Sequence, residues 1–273
     1  MSVQNFSSIF DGLKLAYGTY KIEKQQANGK NTGRAAIIRE PRTTALWEGH
    51  LSGKGRGIGI IPINEDNKCV WGCVDVDQYP LDHKVLIEKI RKLKLPLVVC
   101  RSKSGGAHCF LFTTEWVDAK DMQATLQQIS AALGYGGSEI FPKQIKLNLD
   151  RDDVGNFLNL PYYDAEDGLR YAIKDDGTSA TIEEFFDLYE SYKQTPEQLM
   201  ALPSSLKRKT TLTGVATLRS TRTATRTCAR PASMASVPLS KARPSRTFAS
   251  TTQIRRSGFW MSTASPSSWI QRL

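Results

Sequence analysis

Short apolar runs bounded by turn residues alternate, along the first 200 residues, with stretches whose apolar positions recur every three to four residues. The runs at Ala35–Ile38, Gly57–Ile63, Cys69–Asp77 and Leu97–Ser102 are rich in Val or Ile and read as strands. Residues 1–35 mix short apolar patches with a Gly/Asn/Lys-rich turn at Asn28–Gly33. Between the strands, Asp82 to Leu95 reads as a helix: Asp82 is placed to cap it, Leu86, Ile90 and Leu93 share a stripe, and Pro96 follows the end. A second helix covers about Ala119 to Leu133, with Met122, Leu126, Ile129 and Leu133 on one face and Gly134 closing it. Thr181 and Glu184 form a capping box for a third helix carrying Phe185, Phe186 and Tyr189. A fourth starts at Thr195-Pro196, with proline in the first turn. Strands interleaved with helices predict an α/β or α+β sheet domain.

Two of these strands carry chemistry. In Cys69-Val-Trp-Gly-Cys-Val-Asp-Val-Asp77, side chains alternate between faces. Val70, Val74 and Val76 then point into a core, while Asp75 and Asp77 stand together on the other face, about 7 Å apart by strand rise. Two carboxylates side by side repel, and a divalent cation with an oxygen preference is the usual answer. A strand end fraying into solvent at Gln78-Tyr79-Pro80 is the plain alternative.

Next, an apolar strand ends in Arg101-Ser-Lys-Ser104, turns on Gly105-Gly106, and returns as an alternating strand with His108, Phe110 and Phe112 on one face. A hairpin tip dense in Arg, Lys, Ser and His, with two glycines permitting close backbone approach, suits a polyphosphate. A third segment, Gly134-Tyr-Gly-Gly-Ser-Glu-Ile-Phe-Pro-Lys-Gln144, places Glu139 at the start of an extended stretch. That carboxylate can complete a metal site with Asp75 and Asp77, and Lys143 can neutralise phosphate. A solvent-facing strand start reads equally well.

Charge changes the picture at the end of the chain. The net charge is +10, but 13 Lys and Arg and no Asp or Glu fall in 204–273, leaving 24 basic against 27 acidic residues in 1–203, a net of −3. A global argument from charge to nucleic-acid binding therefore fails for the folded part. Lys84, Lys89, Arg91, Lys92 and Lys94 crowd one helix; they read either as a solvated face or as a track for a template backbone. Residues 204–273 form a low-complexity tail that cannot bury enough apolar surface to offset its ordering entropy. They read as a disordered segment, as a stretch translated out of frame, or as a basic arm for nucleic acid.

The five cysteines, at 69, 73, 100, 109 and 228, are odd in number and mostly sit in apolar strand patterns, which suits a reducing compartment. The Cys69–Cys73 spacing is not that of a zinc knuckle. With no N-terminal apolar leader and no run of about 20 apolar residues, neither secretion nor a membrane partner is indicated. The expected location is the cytoplasm, of a bacterium or of a phage's host.

The ordered set Val74-Asp-Val-Asp77, Ser104-Gly-Gly-Ala-His108 and Ser138-Glu-Ile-Phe-Pro-Lys-Gln144 resembles the archaeo-eukaryotic primase superfamily, in its primase–polymerase branch from phages, plasmids and TOTE conflict systems. The flanks agree: Tyr17-Gly-Thr-Tyr20, Trp47-Glu-Gly-His-Leu51, Gly57-Ile-Gly-Ile-Ile-Pro-Ile63 and Gly155-Asn-Phe-Leu-Asn-Leu-Pro-Tyr-Tyr163. The resemblance covers about 1–200. It implies an RRM-like catalytic sheet (about 66–200) joined to a smaller N-terminal α/β unit (about 1–65) in one catalytic domain, 1–203.

It also implies a metal-dependent, template-directed nucleotidyltransferase, a DNA primase or polymerase serving replication of a phage or mobile element. Asp75, Asp77 and Glu139 would hold Mg²⁺ or Mn²⁺. Ser104, Gly105, Gly106 and His108 would engage the triphosphate, with Arg101 and Lys143 beside them. The implied partners are DNA template and primer, nucleoside triphosphates, and a helicase domain or protein. Two other readings stand beside it. One is a non-catalytic module of the same fold that binds single-stranded nucleic acid by stacking on residues such as Phe110 or Tyr162. The other is a metal-dependent nucleotide-sugar transferase, which would use Asp-x-Asp without needing the hairpin.

Overall fold

The computed structural model describes residues 2–25, 31–151 and 153–206. These form a mixed α/β structure containing two antiparallel four-stranded sheets. The first sheet contains β1 (Tyr17–Gln25), β2 (Asn31–Ile38), β3 (Gly57–Ile60) and β8 (Leu158–Asn159), in the order β2-β1-β3-β8. The second contains β4 (Lys68–Val76), β5 (Val98–Arg101), β6 (Ala107–Asp118) and β7 (Glu139–Phe141), in the order β5-β6-β4-β7. The first sheet is therefore not made from the N-terminal residues alone: Gly59 pairs with Asn159 and Ile60 with Leu158, close to the far end of the fold.

Helices α3 (His83–Lys92) and α4 (Ala119–Ala132) cover one face of the second sheet. Leu86, Ile90, Met122, Leu126 and Ile129 pack there with Val74, Val76, Cys109 and Leu111. Asp82 caps α3 as expected, accepting from the Val85 N–H at 3.1 Å. Gly134 ends α4 with φ +80°, the left-handed conformation that glycine adopts without steric cost.

The opposite face is equally covered, which the strand reading did not anticipate. Trp71, Cys73, Phe110 and Phe112 join Phe6 of α1 (Ser2–Ile9), Phe10 just past its end, Trp47 of α2 (Thr44–Leu51), Ile58 and Ile60 of β3, and Phe185 of α5 (Ile182–Tyr192) in one aromatic core. Phe10 lies at its centre, 5.3 Å from Phe110, 5.6 Å from Trp71 and 5.9 Å from Phe185, ring centre to ring centre. A register shift between Cys69 and Trp71 also reverses the parity of β4. In consequence Cys69 packs with Val74 and Val76, while Val70 packs with the aromatic core, contrary to the expected face.

The capping box of α5 is present in both directions, Thr181 with Glu184. The chain is again helical from 196 to 206, where the description stops. The expectation for the basic tail lies, beyond Leu206, outside the described residues, as does Cys228. Cys69, Cys73, Cys100 and Cys109 are free and buried, and burial pushes their thiols up. Among the described residues no helix is long and apolar enough to cross a membrane.

Candidate active site

The site is a change of composition across four strands. In the second sheet Val98, Phe110, Cys73 and Phe141 stand in register, one from each strand, and form an apolar row. Two residues further along each strand, Cys100, His108, Asp75 and Glu139 form the next row on the same face. The aromatic core thus ends at a polar ledge, and Asp75 is central on it, with His108 on one side and Glu139 on the other.

Asp77 lies one residue past the end of β4 and is exposed. Asp75, Asp77, Glu139, Ser138, Gly137 and Tyr135 line one cleft of about 300 Å³. The three carboxylates singled out in the sequence therefore line the same cleft. Asp75 is the most enclosed of them, with its side chain 16% exposed against 61% for Glu139. Its Oδ1 is buried and accepts no hydrogen bond. Burial, then the neighbouring charges of Asp77 and Glu139, push its carboxyl up to about 7.

His108 Nε2 lies 3.5 Å from that same Oδ1, too far for a good hydrogen bond. Burial and then the Arg170 guanidinium hold the imidazole down at about 4, so it is neutral near pH 7. The His108–Asp75 contact is consequently not an ion pair of two charged groups, and neither residue is among the causes of the other's shift. Asp77 accepts a hydrogen bond from Tyr79 Oη at 2.8 Å. Glu139 pairs with Lys143 at 2.7 Å, and the lysine also lies 5.1 Å over the Phe141 ring. Lys143 as placed is thus a partner of the carboxylate group, where the sequence reading put it on phosphate.

The hairpin between β5 and β6 sits beside this ledge. Its turn is wider than a two-glycine one: Ser102 N–H donates to the Gly106 carbonyl at 2.9 Å and Gly105 N–H donates to the Ser102 carbonyl at 3.1 Å. Only Gly105 has positive φ (+92°). Gly106 is required for another reason, since a Cβ there would lie 2.4 Å from the Val76 carbonyl oxygen. The close approach of hairpin to β4 brings Ser104 to the Tyr79 hydroxyl, so one phenol touches both the hairpin tip and Asp77.

Three cations gather on the hairpin side. Arg101 Nη1 donates to the Leu169 carbonyl at 3.3 Å, Lys103 Nζ lies 3.4 Å from the Tyr20 ring centre, and the Arg170 guanidinium lies over Tyr163 at 5.2 Å. Among the described residues none of the three is paired with a carboxylate. Arg170 Nη1 is buried without a hydrogen-bond partner, as is Ser102 Oγ. Arg170 was missed in the sequence, where it sits in Asp167-Gly-Leu-Arg170 with no distinguishing pattern. It reaches the site because the Arg101 N–H donates to the Tyr171 carbonyl at 2.9 Å, which lays that segment along the edge of β5.

Other candidates separate from the site. His50, in the motif Trp47-Glu-Gly-His-Leu51, is fully buried; its Nε2 donates to the Pro161 carbonyl (2.8 Å) and its Nδ1 accepts from the Ile58 N–H (3.0 Å). It is a neutral structural link, held down at about 4 by burial. Within the basic helix α3, Lys89 donates to the Leu133 carbonyl and Arg91 pairs with Asp175 at 2.7 Å, so these two belong to the fold's own bonding. Phe110 and Tyr162 are 0% and 2% exposed, which corrects the stacking role considered for them: neither can reach a base.

A divalent cation is tested by these atoms. Among the described residues no three His, Cys, Asp or Glu side chains are already gathered as a ready-made ligand set. The donors nevertheless fit a hard cation: all are carboxylate oxygens, and one buried oxygen of Asp75 lacks any partner.

A family model for the archaeo-eukaryotic primase domain of TOTE conflict systems matches residues 14–201. No curated protein matches the chain. Among solved structures it is similar to the primase domain of the cyanophage S-2L primase–polymerase, at 9% identity and TM-score 0.38, over 68% of this chain and 96% of that one. It is also similar to the catalytic domain of primase RepB′, solved with initiator DNA, at 11% identity and TM-score 0.34, over 80% and 96%. The match over 14–201, which takes in the carboxylate strand, the hairpin and the Glu139 segment together, places this chain in the archaeo-eukaryotic primase domain family of TOTE conflict systems.

Proposed function

We propose that the domain is a metal-dependent nucleotidyltransferase that extends a nucleic-acid strand on a DNA template from nucleoside triphosphates. The observation that carries this reading is the polar row His108–Asp75–Glu139, three adjacent strands wide, with an unpartnered buried oxygen at its centre. Asp75 and Asp77, with Glu139, would hold Mg²⁺ or Mn²⁺. When bound, such ions lower the cost of charge on the attacking and leaving oxygens.

The protein's own residues do the rest. Ser104 and the backbone of Gly105 and Gly106 bind the triphosphate, and Arg101 and Arg170 supply charge-assisted hydrogen bonds to its oxygens. Arg170 arrives with one nitrogen already stripped of water and unpaired, so phosphate repays a desolvation that the fold has already imposed. His108 is neutral and positioned to donate one N–H to a phosphate oxygen without carrying a competing charge toward Asp75. Lys143 holds Glu139 in the row.

Replication of a phage or mobile element, and cooperation with a helicase, are the cellular setting we propose for this activity. The test is template-directed incorporation by the full chain with Mg²⁺ or Mn²⁺, wild type beside Asp75→Ala/Asp77→Ala. Metal-dependent extension that the double substitution abolishes is the expected result. A folded wild type that binds single strands yet incorporates nothing, with or without primer, would refute the reading and leave a binding module.

A further inference from the structure

The three carboxylates of the cleft are held by three different devices. Asp75 is fixed by the sheet itself, with β6 paired on one side of it and β7 on the other. Glu139 is paired with the Lys143 ammonium at 2.7 Å. Asp77 lies exposed past the end of β4. Among the described residues its side chain has one hydrogen-bond partner, the Tyr79 hydroxyl, which donates to Oδ1 at 2.8 Å. The phenol differs from the lysine in what it leaves behind. A neutral O–H orients a carboxylate without supplying a countercharge, so Asp77 keeps its full attraction for a cation, and its Oδ2 has no partner among the described residues.

Burial does not explain the tyrosine. Tyr79 is 52% exposed, and it is the one aromatic among the large side chains that the described residues expose. Its anchored part is the hydroxyl, which sits between the end of β4 and the hairpin. Ser104 lies against that oxygen, and a Cβ on Gly106 would stand 3.5 Å from it. The same stretch holds the hairpin a second time at His83, the first residue of α3, whose Nε2 donates to the Gly106 carbonyl at 3.0 Å. Residues 79–83 therefore clasp the hairpin at two points, and the first of these also holds Asp77.

The consequence falls on the cation. A carboxylate beyond the last paired residue of a strand samples several rotamers, and an incoming ion has to select one of them. The bond from Tyr79 makes that selection beforehand, which is how hydrogen-bonded neighbours of metal ligands raise affinity.

We infer that Tyr79 is a positioning residue: its hydroxyl, braced against the hairpin, aims Asp77 at the divalent cation. This rests on the metal site proposed above and adds to it the residue that orders Asp77.

The experiment compares the full chain with Tyr79→Phe, which keeps the exposed ring and removes only the hydroxyl. Mn²⁺ binding is read without nucleotide from the EPR signal of the free ion, tripolyphosphate binding without metal by calorimetry, and extension across a Mn²⁺ titration. Mn²⁺ affinity should fall about ten- to a hundredfold. The Mn²⁺ concentration giving half the maximal rate should rise by a similar factor. The rate at saturating Mn²⁺ should stay within about threefold, because the ligand itself is still present. Tripolyphosphate affinity and the melting temperature should stay at their wild-type values. Unchanged or tighter Mn²⁺ binding, beside a wild type that binds the ion, overturns the role of Tyr79 and leaves the metal site standing. A joint loss of tripolyphosphate affinity, saturating rate and melting temperature overturns it too, since the hydroxyl would then only hold the fold together. A wild type that binds no Mn²⁺ overturns both this inference and the metal-dependent reading.

Discussion

Removing one charge from the polar ledge should stabilise the metal-free protein, and the gain should depend on pH in a set direction. Asp75 is displaced from 3.8 to about 7 by burial and by Asp77 and Glu139. A group whose folded-state pKa is raised stabilises the fold fully below its unfolded value, and this contribution is lost as pH rises to the folded one. At roughly 1.4 kcal/mol per unit, the full displacement amounts to about 4 kcal/mol, spread between pH 3.8 and pH 7. Asp75→Asn keeps the shape and removes the titration. The unpartnered oxygen remains unpartnered in the amide, so its cost is constant with pH and only the slope is diagnostic.

Between pH 5 and pH 8 the variant should gain about 2–3 kcal/mol on the wild type in urea unfolding with EDTA, and nothing more above pH 8. The buried histidines act oppositely: His50 and His108, both held at about 4, add stability as pH rises from 4 toward 6.5. Both proteins carry them, so they cancel in the difference. Adding Mn²⁺ at about a hundred times its dissociation constant should return about 2.7 kcal/mol to the wild type at pH 8 and little to the variant. A stability difference that is flat from pH 5 to pH 8, or that widens in favour of the wild type without metal, would refute the argument that repulsion and burial at Asp75 await a cation.

Gly106→Ala should cost about 1–3 kcal/mol, because a Cβ 2.4 Å from the Val76 carbonyl forces hairpin and β4 apart; nucleotide incorporation should fall even where thermal unfolding shows the protein still folded. Arg170→Ala should lower kcat/KM for the nucleotide by about 10- to 100-fold, the equivalent of one or two charge-assisted hydrogen bonds. In the same variant the His108 imidazole, relieved of a neighbouring cation, should titrate higher than about 4 in NMR.

Much of the second sheet was legible because its signals are local. Asp82, Gly134 and the Thr181–Glu184 box each act within one turn of helix, and each marks its helix end in the structure. The alternation of His108, Phe110 and Phe112 sets one face whatever lies beneath it. The first sheet was much less visible. Tyr17–Gln25 mixes Lys, Glu and Gly with few apolar residues, and Leu158–Asn159 is too short for any period to register. The parity of β4 was misread because a bulge at Cys69–Trp71 leaves no mark in a run where most residues are apolar.

The sequence by itself determined the site's chemical vocabulary: paired carboxylates on a strand, a hairpin with Ser, two glycines and His, and a third carboxylate with a lysine four residues on. Covalent order and side-chain alternation suffice for that. Only the tertiary structure decided what those groups do to one another. The register across β6, β4 and β7 aligns His108, Asp75 and Glu139, and the aromatic core beneath shuts water from Asp75 and His108, moving one group up and the other down. Arg170 joins them from a loop 62 residues past His108 and 31 past Glu139, laid along β5 by the Arg101–Tyr171 and Ile173–Val99 backbone hydrogen bonds. Pairing, burial and long-range charge are properties of distance in space, and distance along the chain does not encode them.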